Sequence, residues 1–155
     1  FVVLDTAPTG HSLLLMDATG AYHRQTLREF EGRTGAHFVT PLMRLQDPAY
    51  TKIILVTLPE VTPVSQAAAL QDDLRRAHIE PYAWVINKSL VAAGTRDPML
   101  AARLDGERRQ MARIADGLAA HTCVVPWTTT APVGVEALTR LLGTGNRTAQ
   151  APGQQ

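Results

Sequence analysis

Lys52-Ile53-Ile54-Leu55-Val56-Thr57-Leu58-Pro59-Glu60-Val61-Thr62-Pro63 decides the fold class. Lys52–Thr57 is apolar and rich in β-branched residues, as a strand buried on both faces is. Leu58-Pro59-Glu60 ends it. Thr62 is placed to cap a helix, with Pro63 as the first helical residue. Val64, Ala67, Ala68, Leu70, Leu74 and Ala77 then recur at helical spacing on one face, and Gln71, Asp72, Asp73, Arg75 and Arg76 cover the other. His78-Ile79-Glu80-Pro81 turns the chain. A strand running straight into an amphipathic helix is the repeating half of a parallel α/β sheet.

The same alternation continues on both sides. Tyr82–Asn87 reads as a strand ending in a polar amide, and Lys88–Pro98 as a loop. Met99 to about Ala119 reads as a helix with Leu100, Leu104, Met111, Ile114 and Leu118 inward. Thr122–Pro126 is a further strand and Gly134–Leu142 a short helix. Residues 143–155 are rich in Gly, Pro, Gln, Asn and Thr, the composition of a disordered tail. Toward the start, Gly32–Pro48 is broken by glycine and proline and suits a loop or a short helix. Ser12 to about Phe30 reads as helical and broken near Gly20, with Leu13–Met16 in the core. Phe1-Val2-Val3-Leu4 reads as a buried parallel strand with Asp5 at its carboxyl end. Thr6, Pro8, Thr9 and Gly10 follow as a stiff polar turn, and His11 leads into the next apolar run. Strand and helix thus alternate throughout, which predicts an α/β domain: a parallel sheet with flanking helices and right-handed crossovers.

Composition bounds what such a domain does. The chain has 155 residues, 45% hydrophobic and 19% charged, enough for a sizeable core. Its net charge of +1 offers no bulk attraction to nucleic acid or anionic lipid. The single cysteine, Cys123, excludes an internal disulfide and an all-cysteine metal site within the chain. No apolar run approaches the roughly 20 residues of a membrane span, and no signal peptide is present. A cytoplasmic location is the resulting expectation. The chain starts inside a strand without a methionine, so it reads as a piece of a longer polypeptide. It contains no Gly-rich phosphate loop ending in Lys-Ser/Thr; Gly32–Gly35 is too short and lacks the lysine.

Polar residues gather after the strands: Asp5, Glu60, Asn87 and the loop following Pro126. In open α/β sheets that edge binds ligands. An acid in the place of Asp5 holds Mg²⁺ through water or aims an attacking water in nucleotide hydrolases; the alternative is a plain strand-end acid. Asn87 offers a donor and an acceptor together, which suits an adenine edge, or it stabilises its own turn. Trp127 is positioned to lie on a base or to cap the core. Cys123 reads as a buried apolar thiol. His23, His37, His78 and His121 show no ligand spacing.

Asp5-Thr6-Ala7-Pro8-Thr9-Gly10-His11 resembles the signature of the arsenite-pump ATPase family, whose relatives include the ATPase that targets tail-anchored membrane proteins. The likeness continues through Val56–Glu60, Thr62–Val64, Leu70 with Asp73-Leu74, Trp84–Leu90 and Pro132–Gly134. It is strongest with the carboxy-terminal ATPase half, through Leu14–His23 and Gln46–Pro48. The resemblance implies that residues 1–142 are the latter part of a P-loop NTPase-type domain lacking its first strand and phosphate loop. The implied ligands are ATP and Mg²⁺, with arsenite or antimonite as an allosteric ligand. Asp5 is then the catalytic acid and Mg²⁺ partner, and Thr6, Ala7, Pro8, Thr9 and Gly10 form a switch. His11 becomes a metalloid ligand, and Asn87 and Pro126 seat adenine. The family's glutamate after that proline is replaced here by Ala131, which lacks a polar side chain for the base pocket.

The implied partners are a second ATPase half or subunit and a membrane arsenite efflux protein, bringing the protein to the inner membrane peripherally. Nucleic acid is not implied. The rival reading is a targeting factor that shields hydrophobic helices. It needs a broad apolar groove, and Ala21–Pro48 holds only Leu27, Phe30, Phe38, Val39, Leu42, Met43 and Leu45 for one. A third reading is a half that binds nucleotide without hydrolysing it. With the phosphate loop missing, this polypeptide alone is expected to be inactive and, with an apolar sheet edge open, poorly soluble.

Overall fold

A computed structural model describes residues 1–6, 39 and 41–144. The chain divides into two compact units, residues 1–52 with 70–80, and residues 53–69 with 81–155.

The second unit holds the sheet. Strands β1 (Ile54–Thr57), β2 (Ala83–Ser89) and β3 (Thr122–Pro126) lie in that order, every pairing parallel. Parallel strands need crossovers, and helices supply them. In the first unit a short helix α1 spans Pro41–Gln46. Helix α2 (Val61–Arg76) joins β1 to β2, its last residues falling in the first unit. A single turn α3 (Leu90–Ala93), then α4 (Pro98–Arg113) running into a π-helical turn (Ile114–Leu118), joins β2 to β3, and α5 (Val135–Thr144) follows. The α/β class and the parallel, helix-flanked sheet are as the alternation predicts.

Register puts Leu55 beside Trp84, Thr57 beside Ile86 and Ile86 beside Val124, so these five share one face. All are buried, and with Val64, Ala67 and Ile114 they make the unit's core. The other face of β1 is not covered: Ile54 is 50% and Val56 63% exposed. The strand expected to be buried on both sides is therefore buried on one.

In the first unit, Leu74 and Ile79 are buried and the Gln46 side-chain amide donates to the Ala77 carbonyl at 2.9 Å. Helix α1 falls in the stretch read as a loop or short helix. Phe1–Asp5 form no strand, and Phe1, Val2, Val3 and Leu4 are almost fully exposed. An apolar run becomes a strand only when a neighbour supplies the ladder and cover, and no described strand pairs with this one.

Two local readings also need correcting. Helix α2 begins at Val61, before Thr62, because the Val64 amide already donates to the Glu60 carbonyl at 3.1 Å. Pro63 is then the third helical residue, still in the turn whose amides lack intrahelical acceptors. Gln71, placed on the polar face, is 1% exposed, because the 3–4 spacing of Val64, Ala67, Gln71 and Leu74 carries it into the buried stripe.

Arg75 and Glu80 clasp the turn after α2, Arg75 donating to both Glu80 oxygens at 2.7–3.2 Å. The Arg75 hydrogen bonds hold the Glu80 carboxyl below the usual carboxylate range, against a smaller desolvation effect. Since the folded pKa is depressed, the contribution is present above the ordinary value and is lost as pH falls through the lowered one. Both side chains are substantially exposed. Glu80→Gln should therefore cost at most about 1 kcal/mol at pH 7, and nothing once acid has protonated the wild-type carboxyl. Urea unfolding at both pH values checks this; an equal loss at low pH would rule the ion pair out as its cause.

Candidate functional site

Parallel strands bring their carboxyl ends to one edge, and in the second unit three segments end there. They are Thr57–Glu60 after β1, Asn87-Lys88-Ser89 closing β2, and Pro126-Trp127 closing β3. Glu60, beyond β1, pairs with Arg103 of α4 at 2.7 Å, both half exposed. It serves as a surface tie between helices worth up to about 1 kcal/mol.

The β2 end is irregular. Regular register runs to Ile86 opposite Val124 and resumes at Ser89 opposite Pro126. Asn87 and Lys88 thus face the single residue Val125, which is a β-bulge. Lys88 adopts φ 57°, the left-handed region that a lysine rarely occupies. Asn87 is half buried, and its Oδ1 accepts from the Lys88 amide at 2.9 Å. That contact stabilises the asparagine's own turn, while its carboxamide nitrogen remains a donor group and Oδ1 has a second lone pair.

Beneath the turn lies a buried acid. Glu107 of α4 is 5% exposed; it accepts from the Ser89 hydroxyl and from the Leu90 and Val91 amides at 3.0 and 3.1 Å. Ser89 Oγ in turn accepts from the Ala92 amide at 2.9 Å, capping α3. The orphan amides at the start of α3 are therefore satisfied from below.

Trp127 follows Pro126 directly. Its amide donates to the Ser89 carbonyl at 2.9 Å, tying β3's end to the β2 turn. The residue is 49% exposed, and Lys88 Nζ lies 5.6 Å from the ring centroid.

Asn87 and Pro126, named from the sequence as base-binding residues, thus belong to strand ends that adjoin. Asp5 and Thr6 are exposed and outside any strand, in the other unit. Ala7, Pro8, Thr9, Gly10 and His11 lie outside the described residues, as do residues 145–155 of the tail. Sequence reasoning missed Lys88, Ser89 and Glu107. Glu107 carried a signal: it falls at helical spacing between Leu104 and Met111 on the inward stripe of α4.

The residues present suit a nucleotide in part. An adenine needs a flat apolar surface and an amide edge, and Trp127 and Asn87 offer both at one sheet edge. Among the described residues no group of three His, Cys, Asp or Glu side chains could hold a metal ion. Mg²⁺ is commonly held by one or two carboxylates plus substrate phosphates, so a lone Asp5 is chemically suited to it. No helix among the described residues is long and apolar enough to cross a membrane.

No family model matches the chain. Curated relatives do. The arsenical pump-driving ATPase of Acidiphilium multivorum is 51% identical over 142 residues, and two of the same name from Escherichia coli are 52% and 51% identical over 143 and 142. Each match covers 92% of this chain and 24% of the relative, so the chain spans about a quarter of the length of the curated relatives it matches. With half its residues identical to theirs over nearly its whole length, the chain belongs to the arsenical pump-driving ATPase family.

Proposed function

We propose that the chain is the latter part of a P-loop-type ATPase domain, from the carboxy-terminal half of a protein that couples ATP hydrolysis to arsenite or antimonite extrusion through a membrane partner. The observation that carries this reading is the 51–52% identity to arsenical pump-driving ATPases over 92% of the chain. In this reading residues 1–142 form the partial ATPase domain; the tail expected from residue 143 begins two residues too early, since α5 runs to Thr144.

Asp5 would be the residue that holds Mg²⁺ through water, and its carboxylate would orient the attacking water. Thr6–Gly10 carry the change of nucleotide state along the chain to His11, whose imidazole is an auxiliary donor to a trivalent metalloid held mainly by thiolates. Asn87 and Pro126 seat the base. When bound, Mg²⁺ would supply neutralisation of phosphate charge. Phosphate binding and most stabilisation of the transferring group fall to a lysine-bearing loop in another part of the full-length protein. This polypeptide alone should not turn over ATP. Working with an efflux partner places the full-length protein in the cytoplasm, at the inner face of the membrane.

The test is ATP turnover by the full-length protein with and without antimonite, as wild type and His11→Ala. Mutating even an outer-shell partner of a metal ligand typically costs 10- to 100-fold in affinity, so with a direct donor removed half-saturating antimonite should rise at least about tenfold while basal turnover persists. Unchanged stimulation would remove His11 from the metalloid site. Wild-type turnover indifferent to antimonite would sink the pump reading and favour membrane-protein targeting.

A further inference from the structure

The end of α2 is held in three ways. The Ile79 amide donates to the Leu74 carbonyl and the His78 amide to the Arg75 carbonyl, both at 2.9 Å. That pattern closes a helix on a residue in left-handed backbone, and His78 takes φ 60° where glycine is usual. Leu74 and Ile79, both 3% exposed, supply the apolar contact that accompanies it. Arg75 and Glu80 clasp the same turn. The pattern leaves the Ala77 carbonyl over, and the Gln46 side-chain amide, 31 residues earlier, donates to it at 2.9 Å. Gln46 is itself fixed, because it closes α1 and the turn behind it is dense with hydrogen bonds. Thr51 Oγ donates to the Arg44 carbonyl at 2.7 Å, Lys52 Nζ to the Pro48 carbonyl at 2.6 Å, and the Ala49 amide to Asp47 Oδ1 at 2.8 Å. A left-handed residue other than glycine persists where its surroundings over-determine it, and such places cluster at clamps and switches.

Helix α2 leaves the sheet edge where Thr57–Glu60 ends β1. It runs 16 residues, about 24 Å, toward this clasp. Among the described residues it is the one helix whose residues fall in both units. Asn87 and Pro126 belong to the second unit; Asp5 and α1 belong to the first, and the chain between those two carries His11. We infer that α2 couples the nucleotide edge to the metalloid-binding part of the chain, with the Gln46–Ala77 hydrogen bond as its joint to α1. The inference rests on the proposed function and adds a positioning residue to it: Gln46 acts through α2. A helix is stiff along its axis, so a shift at its start is delivered at its end. A single neutral hydrogen bond contributes little net, so the joint is made in one ligand state and open in the other without a large cost. Each ligand then changes the affinity of the other by the same factor.

The test uses the full-length protein as wild type, Gln46→Met and Gln46→Glu, which both remove the donor at nearly constant size. Gln46 is half buried, so neither change opens a core. His78→Gly is the control, since it relaxes the turn and keeps the donor. Antimonite affinity is measured without nucleotide and with a saturating non-hydrolysable ATP analogue. Changes along a coupling element alter the coupling by a factor of about 2 to 30. The ratio of the two affinities should therefore fall about threefold or more in Gln46→Met and Gln46→Glu, while the nucleotide-free affinity keeps its wild-type value. His78→Gly should keep the ratio. A ratio unchanged in both donor-less variants, in a protein whose turnover antimonite still stimulates, overturns the joint alone. Equal weakening with and without nucleotide also overturns it, since that is what a merely structural bond gives. So does an equal fall of the ratio in His78→Gly, which would trace the effect to the turn's strain and not to the bond. A wild type that neither binds antimonite nor responds to it overturns both this inference and the function on which it rests.

Discussion

Glu107→Ala should destabilise the unit that carries the sheet by about 3–5 kcal/mol, because it strands three donors at once. The Ser89 hydroxyl and the Leu90 and Val91 amides all point at this carboxylate, which is 5% exposed. A buried donor left without its acceptor costs about 1–3 kcal/mol, and water reaches a site this closed only by opening it. Glu107→Gln separates charge from shape. The amide keeps one acceptor and turns an NH₂ toward the remaining donors, so about half of the loss should persist. Hydrogen exchange adds a local readout: the Leu90 and Val91 amides should lose protection in Glu107→Ala before the centre of β2 does. Denaturant unfolding within about 0.5 kcal/mol of wild type would show that the carboxylate is dispensable.

The same residue shows where sequence reading stops. Its spacing among Leu104, Met111 and Ile114 places it on the buried stripe, but a charged residue there ordinarily argues that the stripe has an exposed gap. What makes Glu107 tenable is the row of unpaired amides at the start of α3, four residues long and inside a stretch that reads as loop. A helix that short has no periodicity to detect. The strands were legible because their β-branched runs are bounded by proline and polar residues, and Thr122–Pro126 is found where it was expected. Phe1–Leu4 has the same local signature and forms no strand, because pairing belongs to the neighbours and not to the run. Asn87 was legible as a polar residue at a sheet edge. The left-handed Lys88 beside it was not, since nothing in Asn-Lys-Ser announces a positive φ that glycine usually supplies.

The chain's two tryptophans should answer mutation in opposite ways. Trp84, the second residue of the central strand β2, is 1% exposed, with β1 pairing on one side and β3 on the other. Its neighbours in register are Leu55 and Thr122, and it shares a face with buried Ile86. Trp84→Ala removes the largest side chain of the core and leaves a cavity between fixed strands, at about 3–5 kcal/mol. Whole domains are stable by only about 5–15 kcal/mol, so a loss of that size leaves the sheet marginal. If Asn87 seats the base as proposed, nucleotide affinity should fall with it, because Trp84 and Asn87 lie on one strand and the amide keeps its place only while β2 keeps its ladder. Trp127→Ala, half exposed just beyond a strand end, should change unfolding by well under about 1 kcal/mol. Paired unfolding and ATP-binding measurements on the two variants separate these roles. A Trp84→Ala protein that unfolds within about 1 kcal/mol of wild type would mean that the core is organised around some residue other than Trp84.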